Sequence, residues 1–214
     1  MKKIAIILVF LVSIPVMLNA QNLRFSFLAN PQITWLSSDK AEISSDGSLA
    51  GLNTGIGMDI FFAENYAFST GFKLNSMGGC LLYKDSVSVS SEGTEYLANA
   101  VSYRNQYLSI PLGLKFKTVE IGYTTIWLNP GISPMFRLKA QASFDNEDEK
   151  QNVSEEIALI NINYFLEAGV EYSLGGNTAI IAGLGYYAGI IDITNHADDK
   201  ITNGSFALVL GLLF

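Results

Sequence analysis

Cysteine and histidine are almost absent from this sequence, with one of each in 214 residues. The lone Cys80 excludes an intramolecular disulfide and a redox pair, and it lies too far along the chain for an N-terminal lipid anchor. It reads as a small apolar side chain near a strand end. No zinc-binding spacing and no glycine loop of the phosphate-cradling kind occurs. Positive charge is also scarce: 13 Lys and Arg stand against 20 Asp and Glu, a net charge of −7. Such a chain is a poor match for nucleic acid. Long apolar runs are missing beyond the first 20 residues, where no stretch reaches the ~18 residues of a membrane helix. The mature chain therefore has no helical anchor.

What is present begins with Lys2 and Lys3, an apolar run from Ile4 to Leu18, and the small-residue site Leu18-Asn19-Ala20. This pattern predicts a signal peptide over residues 1–20, cleaved before Gln21, and one domain over residues 21–214. Eight stretches of alternating apolar and polar residues follow. Their seven separating gaps run long, short, long, short, long, short, long. That rhythm predicts an all-β fold, an eight-stranded antiparallel up-and-down transmembrane β-barrel with tight periplasmic turns and longer outer loops. The long gaps, taken as residues 38–48, 84–100, 144–160 and 195–204, hold 14 of the 20 acids and four bases. Negative charge is thus expected outside and a near-neutral barrel within the membrane.

The orientation of the two faces decides between membrane and soluble barrels. Leu23, Phe25, Phe27, Ile33 and Trp35 share one face of the first stretch, and Arg24, Ser26, Asn30, Gln32 and Thr34 the other. The same division recurs in Leu108, Ile110, Leu112, Leu114 and Phe116 against Ser109, Gly113, Lys115 and Lys117. Aliphatics fill the middle of the apolar face, while Phe25, Trp35, Phe62, Tyr66, Phe116, Phe136, Tyr172 and Phe214 lie near strand ends. That is a lipid-facing band with aromatic girdles. A soluble periplasmic carrier would turn its apolar face inward and leave Gly, Ser and Asn outside. Pro31, Pro111, Pro130 and Pro134 interrupt strands, where each removes a ladder donor. Trp127 and Phe165 fall on the inner parity, which predicts a bulge or register shift in the fifth and sixth strands.

Tyr107-Leu108-Ser109-Ile110-Pro111-Leu112-Gly113-Leu114-Lys115-Phe116 resembles the fourth strand of the PorT-like outer-membrane β-barrel family, with its Tyr-Leu-x-Ile-Pro-Leu-Leu-Leu-Lys pattern. Leu166 to Tyr172 and Tyr186 to Ile193 are similar to that family's sixth and seventh strands. The resemblance implies an exported eight-stranded barrel in the outer membrane of a Gram-negative bacterium, and a link to type IX protein secretion. The chain departs from the family at Gly183 and Gly185, where relatives often carry an inward Glu and Arg. It departs again at Asn129-Pro130-Gly131, where relatives usually have Gly then Pro.

On the inner face the chain gathers Arg24, Asp59, Lys73, Lys115, Lys117, Arg137, Glu167 and Glu171. An eight-stranded lumen is about wide enough for side chains alone, so these charges are expected to form an ion-pair network that plugs the barrel. The third long gap offers a candidate cation-binding loop in Asp145, Glu147, Asp148 and Glu149, without the glycine and register of an EF-hand. His196, with Asp192, Asp198, Asp199 and Ser205 nearby, is the nearest thing to a catalytic set, and it lacks an oxyanion hole and a nucleophile motif. The expectation is a non-enzymatic barrel without catalytic residues, metal or cofactor. Its structural or interaction role would involve outer-membrane lipid, lipopolysaccharide and other envelope proteins. The alternatives are a lipid-modifying enzyme at the rim and the soluble carrier.

Overall fold

A computed structural model describes residues 23–91, 94–145, 149–195 and 199–214. The predicted signal peptide lies outside the described residues. Eight strands close into a ring. The first, β1 (Leu23–Ser38), is followed by a short β2 (Ile43–Gly47) and by β3 (Leu49–Ala63), β4 (Tyr66–Ser91) and β5 (Thr94–Ser109). After Ile110-Pro111 the same strand of the ring resumes as β6 (Leu112–Lys117), and β7 (Thr124–Phe144) and β8 (Gln151–Asn152) come next. The last three are β9 (Ile160–Gly175), β10 (Thr178–Gly189) and β11 (Ile201–Leu213). β11 pairs back onto β1 and leaves no free edge in the ring. β2 and β8 are side strands on β4 and β7.

Alternation sorts the side chains as a membrane requires. Phe27, Ile56, Phe72 and Leu184 are more than half exposed, whereas Asn30, Thr34 and Ser205 are fully buried inside. A contiguous apolar exterior of this extent is stable only against lipid. Aromatic contacts ring both margins of the band. Phe25–Phe214, Tyr66–Phe116 and Tyr123–Tyr172 mark one, and Trp35–Phe206 with Tyr164–Tyr186 the other. Ten residue steps of β1 separate Phe25 from Trp35. At ~3.3 Å per step and a tilt near ~40° this makes a band about 25 Å tall, the thickness of such a barrel's apolar belt.

One sequence expectation needs correction and another needs a different cause. The second long gap is largely strand and so is about half of the first, and β4 at 26 residues and β7 at 21 run well beyond the ~11 needed to span the bilayer. The outer extensions of β4, β5 and β7, with β2 and β8, enclose a hydrophobic core of their own. It includes Leu36, Leu81, Tyr83, Val89, Tyr103 and Phe144. The signal was in the sequence, since Ser86-Val87-Ser88-Val89 alternates as a strand does, but the neighbouring acids obscured it.

The irregularities expected in the strands of Trp127 and Phe165 are present in β7 and β9, but away from those two residues. Both are buried inward, yet the β7–β9 register is unbroken from Thr124↔Tyr172 to Phe136↔Ile160. The rings fit because the facing positions lack side chains. A Cβ on Gly131 would come within 2.5 Å of the Phe165 ring, and one on Gly183 within 2.8 Å of Trp127. One register shift lies on the other edge of β7, where Tyr107 faces Arg137 but Gln106 faces Lys139, so Leu138 is the extra residue; another lies between β9 and β10, where Thr178 faces Gly175 but Ala179 faces Ser173, so Leu174 is extra.

Candidate functional site

The lumen carries the densest chemistry. Glu171 on β9 is the hub near the short-turn end: its carboxylate lies 2.7 Å from Arg24, 2.7 Å from Lys117 and 2.8 Å from Lys115. Lys115 also meets Asp59 at 2.7 Å and stands over the Trp127 ring. Further in, Lys73 lies 3.5 Å from Glu167, which also accepts hydrogen bonds from Asn129 at 3.0 Å and from Tyr187. Four cations and three carboxylates are thus brought together, a sum of +1. Each carboxylate sits across the strands from its partners, so the network fastens β1, β3, β4, β6 and β9 from inside.

Arg137 does not join this network. Its guanidinium donates to the carbonyls of Ser154 and Ile157, tying β7 to the segment after β8 at the outer end. The expected eight-residue network therefore holds seven of its members. Sequence reasoning also passed over the neutral partners. Gln32 donates to Asn75 at 2.7 Å, and Asn161 to Asn203 at 2.7 Å, forming polar layers above the ion pairs. All four were on the polar parity. Tyr187 was legible too, because it shares the inward parity of Gly185 and Gly189.

Filling continues along the barrel. Leu28, Trp127, Ile181, Val209 and Leu213 pack beside the ion pairs, and Met77, Tyr107 and Met135 lie toward the outer end. A cavity of about 30 Å³ between Asp59, Lys73, Lys115, Trp127 and Glu167 has room for about one water. A vestibule of about 340 Å³, bordered by Arg24, Phe61, Lys117, Glu120 and Glu171, opens at the short-turn end and stops at the hub. Beyond the membrane band, burial in the outer core pushes the Tyr83 hydroxyl up to about 12 and that of Tyr103 well above its ordinary value. These phenols stay neutral across the physiological range.

The acidic loop is only partly within the described residues. Asp145 caps a turn: its carboxylate accepts the amides of Asn99 and Ala100, each at 3.1 Å, and its own φ is +48°. Glu149 is exposed, and Glu147 and Asp148 lie outside the described residues. So do His196 and Asp198. Of their expected companions, Asp192 caps the turn before β11 by accepting from Thr194 and Ile201. Ser205 is buried in the lumen, where its hydroxyl faces Gln32 at 3.5 Å.

A closed ring with a lipid-facing apolar belt and a polar, filled interior defines a transmembrane β-barrel protein of the outer-membrane kind. The chain belongs to the outer membrane protein beta-barrel domain family, whose model matches residues 19–195. Among solved structures it is similar to Neisserial surface protein A, with 16% identity, 88% of this chain and 95% of that one covered, and a TM-score of 0.51. OprG from Pseudomonas aeruginosa gives 11% identity, coverages of 89% and 95%, and a TM-score of 0.43. The outer membrane protease OmpT from Escherichia coli gives 9%, 90% and 96%, and 0.47. At these identities the likeness shows the fold alone. No curated protein sequence matches the chain.

Proposed function

We propose that this outer-membrane barrel is a non-conducting anchor whose role is structural or interactive, exerted through its outer β-extension. The observation that carries the reading is the pairing of two features in one chain. Side chains fill the lumen through the depth of the membrane, and the strands continue outward to build a second hydrophobic core. A pore would need neither the hub at Glu171 nor the extension. A recognition platform needs rigid β-structure beyond the headgroups, and acidic side chains such as Asp85 and Glu95 ring this one. Its partners on this reading are other envelope proteins at the outer face, with lipid and lipopolysaccharide around the belt. Residues 1–20 serve as the export signal, so the purified protein should begin at Gln21.

Site-specific photo-crosslinking in intact cells tests the reading. Leu97, on the outer hairpin, and Val119, in a short turn, are both strongly exposed. A crosslinker at position 97 is expected to give a discrete protein adduct. Adducts from position 119 only, or from neither, would overturn the interactive role.

A second reading rests on the Tyr107–Phe116 motif of the PorT-like family and assigns the chain to protein secretion. Loss of secreted cargo on deleting the gene, restored by the intact chain, would support it. Unchanged secretion would remove it.

A further inference from the structure

The exterior of the barrel changes character abruptly at one place. Across β4, β5 and β7 the residues facing lipid form rungs, and Leu74, Leu108 and Phe136 make an apolar one. The next rung outward is Ser76, Gln106 and Lys139, and the one after is Gly78, Arg104 and Gln141. Rungs are separated by two residues, about 7 Å along the strand, so Lys139 and Arg104 stand just beyond the apolar belt. That is the depth of the lipid headgroups.

The β-bulge of β7 is what puts Lys139 there. With strict alternation from Phe136 and Leu138, the next outward residue would be Ala140. The extra residue turns Lys139 outward beside Leu138 and sends Ala140 inside, where it is fully buried. Bulges commonly re-aim a side chain in this way. The consequence is a diagonal pair: Lys139 faces Gln106, and Arg104 faces Gln141 one rung on. Diagonal neighbours lie roughly 7–8 Å apart at Cα, within reach of one anion for two long cationic side chains. Between them runs a groove of about 220 Å³ whose floor is lowered by Gly78, with Ser76, Gln106 and Gln141 as further polar groups. Among the described residues neither cation has an ion pair or a side-chain hydrogen bond, although the chain carries an excess of acid.

We infer that this groove is a binding site for the phosphate-bearing headgroup of an outer-leaflet lipid, with Arg104 and Lys139 on the phosphate and Gln106, Gln141 and Ser76 on neighbouring hydroxyls or carbonyls. Guanidinium and ammonium donors match a phosphate, and a cation at the headgroup level attracts it most strongly. The acyl chains of such a lipid would lie on the Leu74–Leu108–Phe136 rung directly below. The site rests on the membrane-spanning barrel, not on the proposed partner role of the extension.

The test is binding of lipid A bearing both phosphates to the purified full-length barrel in a neutral detergent, read by native mass spectrometry. Parallel arms use the same lipid after dephosphorylation and inorganic phosphate as competitor. Tight binding is expected for the phosphorylated lipid only, and the double variant Arg104→Gln/Lys139→Gln should weaken it about tenfold or more. Lys84→Gln, outside the groove, should leave it unchanged. Heat-modifiable migration verifies that each variant is folded, and a variant that fails this check is replaced by the corresponding single variant. Equal binding of the dephosphorylated lipid, or full binding by the folded double variant, overturns the proposal. Displacement of the lipid by millimolar inorganic phosphate would reassign the site to a free anion and overturn the lipid source. Photo-crosslinking at Leu97 is independent of this result, so either inference can fail alone.

Discussion

Replacing Glu171 by Gln removes the carboxylate that faces three cations while preserving the side chain's shape. The three do not suffer equally. Lys115 is almost wholly buried but keeps Asp59 at 2.7 Å, whereas Arg24 and Lys117 have side chains 21% and 13% exposed and can draw on vestibule water. Removing one partner of a buried pair costs about 3–5 kcal/mol, and the remaining Asp59 places this site at the lower end, about 3 kcal/mol. With a urea slope of about 2 kcal/mol per M, the midpoint of reversible unfolding in lipid vesicles should fall by roughly 1.5 M. Trp127, next to Lys115, supplies the fluorescence change. Lys117→Gln alone should cost under about 1 kcal/mol, because Glu171 keeps two cations and Lys117 is partly hydrated. Added to Glu171→Gln it should restore part of the loss, since one uncompensated cation disappears. A midpoint shift below about 0.3 M for Glu171→Gln, or no recovery in the double variant, would refute the view of Glu171 as the hub.

Three further outcomes follow from the same geometry. Ile56→Arg, between Phe27 and Phe72 in mid-belt, should destabilise the folded barrel by about 2–4 kcal/mol in vesicle titrations; a neutral effect would mean that this face is not in lipid. Gly183→Val places a Cβ 2.8 Å from the Trp127 ring and should cost about 1–3 kcal/mol, with a shifted Trp127 emission. Tyr103→Ala empties part of the outer core, so limited proteolysis should cut the β4–β5 extension faster, while heat-modifiable migration stays intact.

The belt was legible because a two-residue period needs only local sequence, and Phe25, Ile33 and Phe206 obey it without exception. The inward charges were legible for the same reason, since parity places Lys115 and Glu171 inside whatever they touch. Parity does not say which inward charge reaches which, and Arg137 shows the limit. It shares the parity of Met135 and Ser133, but its position near the outer end puts backbone carbonyls within reach and Glu171 out of it. Trp127 and Phe165 were placed on the correct face and given the wrong cause. The decisive glycines are on other strands, Gly131 on the one beside Phe165 and Gly183 two strands from Trp127, and cross-strand contacts are invisible in a single stretch of sequence. A bulge in this strand was expected, but its place at Leu138 was not, because it leaves both Leu138 and Lys139 outside, a pairing that looks like the end of a strand. The outer extension was hidden by its own solubility. Acids at positions such as Asp85 and Glu95 read as loop, although the intervening Val87 and Val89 face a core.

Planar-bilayer recording of the purified barrel tests the central claim most directly. A lumen closed by the Glu171 hub and the side chains packed around it should pass no steady current at low voltage. Regular, reproducible conductance steps from the folded protein would contradict a filled barrel and make it a pore.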